Sequence, residues 1–199
     1  SEVAVKLPQI LIEARSCRIC ESELPHGCRP LLQGSGKSRI IVIGQAPGAA
    51  AHESGVPWND RSGDRLRSWL GLSDHEFYDP NHVALLPMGF CYPGTGARGD
   101  LRPRPECAAE WHERLLAGFE SVSLTVIAGR HAFERYLGDE YGSLTDAVRA
   151  YGELLPERVV LPHPSPRNNI WLKRHPWLER EVLVALRARV RALLGDARN

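Results

Sequence analysis

Short, almost unbroken apolar runs alternate along this chain with longer stretches whose apolar residues recur every three or four positions. Arg39-Ile40-Ile41-Val42-Ile43, His82–Leu86, Ser123–Ala128 and Arg158-Val159-Val160-Leu161 have the length and β-branched character of buried strands. Between them the spacing predicts helices. One covers Gln9 to Arg15, and one opens at Ser62-Gly63-Asp64, turns Leu66, Trp69 and Leu70 to one face and stops at Gly71. Another begins at Pro105-Glu106 with Trp111, Leu115 and Leu116 inward, and two more run over Ala132–Leu137 and Leu144–Tyr151. The last spans about Trp177 to Leu194, with Leu178, Val182, Leu186, Val190 and Leu193 on one stripe. Strands alternating with helices predict a mostly parallel sheet covered on both faces. The segment from Gly44 to about Asp60 reads as a loop of Gly, Pro and small residues. Pro87 to Arg104 is turn-rich and too long for a mere connector, which makes it a functional candidate.

Two predicted strands end abruptly in stiffened loops. The first delivers Gly44-Gln45-Ala46-Pro47-Gly48 and the last delivers His163-Pro164-Ser165-Pro166-Arg167-Asn168. Ligands of open α/β sheets bind beyond the carboxyl ends of the strands, so these loops read as two walls of one site.

Composition narrows the class of protein. The 199 residues, 43% hydrophobic and 25% charged, read as one globular domain over residues 1–199. No apolar run approaches the about 20 residues of a membrane span. The first residues, Ser1 to Lys6, lack the pattern of a secretory signal. A cytosolic location, no membrane partner and a monomer are the expectations. The net charge of +1 hides a bias to arginine, with Arg167, Arg174, Arg180, Arg187, Arg189 and Arg191 following His163. Arginine forks suit phosphates. For the terminal helix a solvated basic face is the simpler reading, and Arg167 stands apart because it lies inside the loop.

Five cysteines add a second chemistry. Cys17-Arg18-Ile19-Cys20 has the spacing that lets two thiolates share a metal or cluster. Cys91 sits in the Gly/Pro-rich stretch, and Cys107 falls in the first turn of a helix, where the dipole favours a thiolate. Spacing alone leaves open that these are small buried hydrophobes. Cys28 is the odd one out and reads as structural.

At these residues the chain resembles the uracil-DNA glycosylase superfamily. Gly44-Gln45-Ala46-Pro47-Gly48 is similar to its first motif, closest to the form in the iron–sulfur (family 4) enzymes, and Gly55-Val56-Pro57-Trp58, Ser62-Gly63 and Leu66 continue the likeness. His163-Pro164-Ser165-Pro166-Arg167-Asn168 is similar to the second motif, closest to the single-strand-selective monofunctional uracil glycosylases. Cys17, Cys20, Cys91 and Cys107 follow the order of the family 4 cluster ligands. The resemblance implies a three-layer α/β/α sandwich around a four-stranded parallel sheet, and a [4Fe-4S] cluster on those cysteines, with zinc as the alternative. It implies a partner DNA carrying a damaged or deaminated base.

The resemblance also implies roles. Trp58 takes the base-stacking position, where phenylalanine is usual. His163 is the donor to the base oxygen as negative charge builds on the leaving base, and Gln45 helps to hold the base beside Ala46 and Gly89. Pro47, Gly48, Ser165, Arg167 and Asn168 bind DNA: Ser165 holds a backbone phosphate, Arg167 probes or fills the gap left by the flipped nucleotide, and Asn168 braces the loop. Two departures qualify the likeness. Ala46 stands where the most active members carry a water-activating aspartate, as it also does in family 4, and His52 falls where family 4 has an acidic residue and is a candidate base. Pro87 replaces the asparagine that reads the pyrimidine edge, so uracil is the default substrate while deaminated purines and oxidised pyrimidines stay open. Three functions follow: a monofunctional DNA glycosylase, a damaged-DNA or nucleotide-binding protein that has lost the chemistry, and a cluster-bearing redox or scaffold protein.

Overall fold

The computed structural model describes residues 6–195, so most of the N-terminal segment read above for a secretory signal lies outside the described residues. The chain opens with helix α1 (Leu7–Arg15), which buries Leu7, Ile10, Leu11 and Ala14. Strand β1 (Ile40–Ile43) follows, then α2 (Ala49–Ser54), α3 (Arg61–Leu70), α4 (Asp74–Phe77) and β2 (Val83–Leu85). A two-stranded antiparallel hairpin, β3 (Thr95–Gly96) and β4 (Gly99–Asp100), interrupts the long turn-rich stretch. After it come α5 (Pro105–Gly118), β5 (Leu124–Ala128), α6 (Arg130–Leu137), α7 (Leu144–Arg149), α8 (Tyr151–Leu154) and β6 (Arg158–Leu161). A 3-10 turn at Pro166–Asn168 leads into α9 (Asn169–Arg174). A π-helical segment, Leu178–Val182, runs into α10 (Leu183–Leu194).

The four main strands are all parallel, in the order β2-β1-β5-β6. Every residue of β1 is buried, so both faces of the sheet are covered, as a three-layer sandwich requires. Helix α1 packs against α5 and α3 against α10, while α6 lies on β5 and α7 and α8 lie on β6. From β1 the chain steps one way to β2 and then crosses back over β1 to β5. The connections leaving β1 and β5 thus run in opposite directions, which opens a crevice at their carboxyl ends.

The strands expected from sequence are present within one residue at each end. Helix α2 falls inside the segment expected to be loop. Three alanines and a glycine C-cap in the left-handed conformation (Gly55, φ 74°) give it both propensity and a stop.

Candidate active site

A cavity of ≈ 840 Å³ opens at the carboxyl end of the sheet. The segments that follow all four strands line it: Gln45 to Gly48 after β1, Pro87 after β2, Arg130 and His131 at the start of α6 after β5, and Pro162, His163, Ser165, Arg167 and Asn168 after β6. The hairpin adds Thr95, Arg98, Gly99 and Asp100, and Trp171 of α9 and Thr145 of α7 close one side, joined by a 3.1 Å bond from the Trp171 indole N–H to the Thr145 hydroxyl.

Trp58 and His163 face each other here. Their ring centroids are 5.7 Å apart with the planes inclined by 26°, an offset stacking contact. The indole rests on Gly44, where a Cβ would come within 2.6 Å of Cζ2. The Trp58 carbonyl lies against Gly63 in the first turn of α3, where a Cβ would stand 1.7 Å from that oxygen. Trp58 has φ 60°, the one non-glycine residue with positive φ among the described residues. Arg67 of α3, 6% exposed, holds this conformation. Its guanidinium donates to the Trp58 carbonyl (3.1 Å) and to the Tyr78 hydroxyl (3.0 Å), and pairs with Asp64 and Asp74 at 2.8 Å each. The Tyr78 hydroxyl in turn donates to the Pro57 carbonyl at 2.8 Å.

His163 is fixed from its own loop. The Ser165 N–H donates to Nδ1 at 3.1 Å, so the neutral ring carries its proton on Nε2. Asn168 donates to the His163 carbonyl at 2.7 Å, and the Ser165 hydroxyl accepts from the Arg167 N–H at 3.2 Å. Burial pushes the imidazole down to about 4, against the opposing pull of Asp60 and Asp100, while His131 adds to the lowering. Gly129, after β5, leaves the space the ring needs, since a Cβ there would meet His163 Cβ at 3.2 Å.

Of the residues expected at the site, Gln45, Ala46, Pro47, Gly48, Trp58, His163, Ser165, Arg167 and Asn168 line this one cavity. Two do not. His52 sits outside it on α2, in a ring cluster with Tyr92 and His26 (5.7 and 6.1 Å between centroids), and its carbonyl is held by Arg29. Gly89 is turned away too: its N–H is given to the Gln45 carbonyl at 3.0 Å, and it lines the pocket of the cysteines instead. Arg167 reaches across the cavity mouth to the Arg98 carbonyl of the hairpin. Sequence reasoning missed Asp60, Asp100, Arg98, Arg102, Arg130, His131 and Trp171 as cavity residues. The turn-rich stretch pointed to the hairpin, but nothing local pointed to the others.

Pro87 lines the cavity where a side-chain amide was noted as missing. Its carbonyl accepts from Nε2 of His112 at 2.8 Å, and Tyr136 bonds His112 Nδ1. Burial pushes His112 down to about 4 as well.

All five cysteines are free and gather around a second pocket, with Glu106 and Arg104 at its edge. Cys28 belongs to this group and does not stand apart. Burial pushes the Cys91 and Cys107 thiols up to about 12. The Phe90 N–H is aimed at Cys107 Sγ at 3.2 Å, and the Arg29 backbone at Cys91. Amides directed at buried sulfurs suit thiolates bound to a metal or cluster, so the donor set fits such a group. Among the described residues the side chains are nonetheless not drawn together into a metal-holding arrangement. Cys20 instead bonds the Glu106 carboxylate at 3.7 Å. No helix among the described residues is long and apolar enough to cross a membrane.

The family model "UDG: Uracil DNA glycosylase superfamily" matches residues 32–187, more than three quarters of the chain. A solution NMR structure of a candidate uracil DNA glycosylase from Methanosarcina acetivorans aligns at 16% identity over 81% of this chain and 97% of that one. The two superpose with a TM-score of 0.46.

Proposed function

Since the chain belongs to the uracil DNA glycosylase superfamily, we propose that it hydrolyses the N-glycosidic bond of a damaged base flipped out of DNA, uracil by default. The observation that carries this reading is the Trp58–His163 pair facing one cavity at the carboxyl ends of all four strands. Extruding a base costs a few kcal/mol, and stacking on an aromatic face returns about 1–3 kcal/mol. Trp58 supplies that face. The 5.7 Å separation leaves no room for a third ring between the two. The base therefore lies on the open part of the indole with its edge toward the imidazole.

Breaking the bond leaves negative charge on the base and positive charge on the sugar. His163 donates from Nε2 to the base oxygen where that charge collects, as an oxyanion hole does. Its depressed pKa keeps it neutral and its tautomer fixed through the neutral pH range. Gln45 grips the base beside Ala46. Arg98, Arg102, Arg130 and Arg167 surround the cavity and suit the phosphates on either side, which positions the strand without reading its sequence. No lysine is among the lining residues, in keeping with a monofunctional enzyme that forms no Schiff base. Pro87 offers no amide to the base edge, so a wider substrate range than uracil is in keeping with the pocket.

Cys17, Cys20, Cys91 and Cys107 would hold a [4Fe-4S] cluster, or zinc in its place. Bound there, the group supplies a cross-link rather than a reactant. Those cysteines lie on the N-terminal segment, the Pro87–Arg104 stretch and α5, and Gly89 touches both their pocket and the Gln45 carbonyl.

The test is single-turnover cleavage of oligonucleotides carrying uracil, hypoxanthine or xanthine. Excision of at least one base, leaving an abasic site, is expected, and His163→Ala should slow it about 10²–10³-fold, the usual cost of losing one such donor. Wild-type protein that binds these strands without cleaving them supports the binding-protein reading, and His163→Ala at wild-type rate removes the anion-stabilising role.

A further inference from the structure

Ala46 leaves the loop after β1 without a carboxylate, yet two carboxylates reach the cavity from other elements. Asp60 caps α3, its Oδ1 accepting the Gly63 N–H at 2.8 Å. Asp100 ends the hairpin, its Oδ1 accepting from the Thr95 hydroxyl at 3.0 Å. One oxygen of each is thus engaged, and the other points the same way. A Cβ built on Gly48 would lie 3.4 Å from Asp100 Oδ2 and 3.9 Å from Asp60 Oδ2. Both oxygens therefore lie within van der Waals reach of the position 48 wall of the cavity. Both residues line the same cavity as Trp58 and His163.

We propose that Asp60 and Asp100 together supply the carboxylate function absent at Ala46. Asp100 accepts the proton of the attacking water, and Asp60 holds a fixed negative charge beside the sugar. The assignment rests on the glycosylase reading. A dissociating glycosidic bond leaves cationic character on the sugar, which a nearby carboxylate stabilises. As the C1′–N bond breaks, its electron pair leaves with the base, which His163 Nε2–H holds as the anion. The water oxygen bonds to C1′ and its proton passes to Asp100 Oδ2. Asp100, solvent-exposed on its two-residue strand, returns that proton to solvent, and the departing base takes one up from there. Asp60, half-buried and bonded into the helix cap, is suited to a charge that stays in place.

The experiment compares wild type with Asp60→Asn, Asp100→Asn and the double variant, in single turnover at saturating protein on the lesion wild type cleaves best. Asparagine caps a helix as well as aspartate does, so Asp60→Asn keeps the fold of α3. Binding is read in parallel on the same strand carrying a 2′-fluoro nucleotide, whose fluorine disfavours the cationic sugar and blocks cleavage. Asp100→Asn should cut the rate by about 10²-fold or more, the size of a lost general base, with binding to the uncleavable strand unchanged or tighter. Asp60→Asn should cost a smaller factor, about tenfold, or roughly 1.4 kcal/mol. A double variant that cleaves at the wild-type rate, or that loses rate only in proportion to lost binding, overturns the assignment while the glycosylase reading stands. Wild-type protein inert on every lesion overturns both.

Discussion

Trp58 shows how much a single residue's backbone can reveal. A bulky side chain in the left-handed region costs of order 1–3 kcal/mol and persists only where its surroundings enforce it. Here the buried Arg67 and the close approach of Gly63 do so. Gly55-Val56-Pro57-Trp58 placed the tryptophan in a loop in the sequence, and the Pro-flanked His163 likewise marked a strand-end polar group. Arg67 was not legible, because it reads as one more basic residue on an amphipathic helix and its importance lies in four acceptors brought together by folding. His52 misled for the reverse reason: its sequence position fits, but α2 carries it out of the cavity. Two histidines also set a pH dependence. His163 and His112 are both held at about 4 when folded, below the ordinary value near 6.5. The unfolded chain takes up their protons first, so the stability they contribute is complete above about pH 6.5 and is lost as pH falls toward 4. Urea midpoints measured across that window should fall steadily, and His163→Gln should show a shallower fall than wild type. A wild-type midpoint that stays flat from pH 7 to 4.5 would show that neither ring is neutral through burial.

At the scale of elements, the strands and the longer helices were readable because their periodicity is set by burial, which sequence records. The short α2 and α9 were not. Six-residue helices carry little periodicity, and their ends are decided by packing around the loops they extend. The arginines of α10 proved structural: Arg187 and Arg191 bond the carbonyls of Ser68 and Gly71 at the end of α3, and Arg191 also pairs with Glu76 at 2.9 Å. Such cations offset the unpaired carbonyls of a helix terminus. Helix α3 therefore has both ends committed, its start to Trp58 and its finish to α10. Gly63→Ala tests the first commitment. In an ordinary helix position alanine would add stability, up to about 1 kcal/mol. Here the added methyl meets the Trp58 carbonyl, so a loss of about 1–3 kcal/mol is expected in chemical denaturation, together with weaker DNA binding. A stabilised variant would show that the Trp58 loop moves aside freely.

For the whole molecule, the sheet order concentrates function at one edge. Segments following all four strands reach the same cavity, which is why two strand-end motifs far apart in sequence could be paired before any coordinates. The far side of the Pro87–Arg104 stretch holds the cysteines, so a cluster or zinc ion there would stiffen one wall of the cavity. Protein purified without oxygen should contain iron and sulfide, or zinc. Cys107→Ser should lower the melting temperature by several degrees, about what losing 1–2 kcal/mol does in a chain of this size, with base preference unchanged. A changed base preference at an unaltered melting temperature would place the cysteines in recognition instead. The direct test of the whole account is a crystal structure of the protein bound to an oligonucleotide with one 2′-fluoro-2′-deoxyuridine. The account predicts the uracil flipped out, lying on the Trp58 indole with a carbonyl oxygen about 3 Å from His163 Nε2. A uracil still stacked in the strand, or seated anywhere that leaves Trp58 and His163 in contact only with each other, contradicts it.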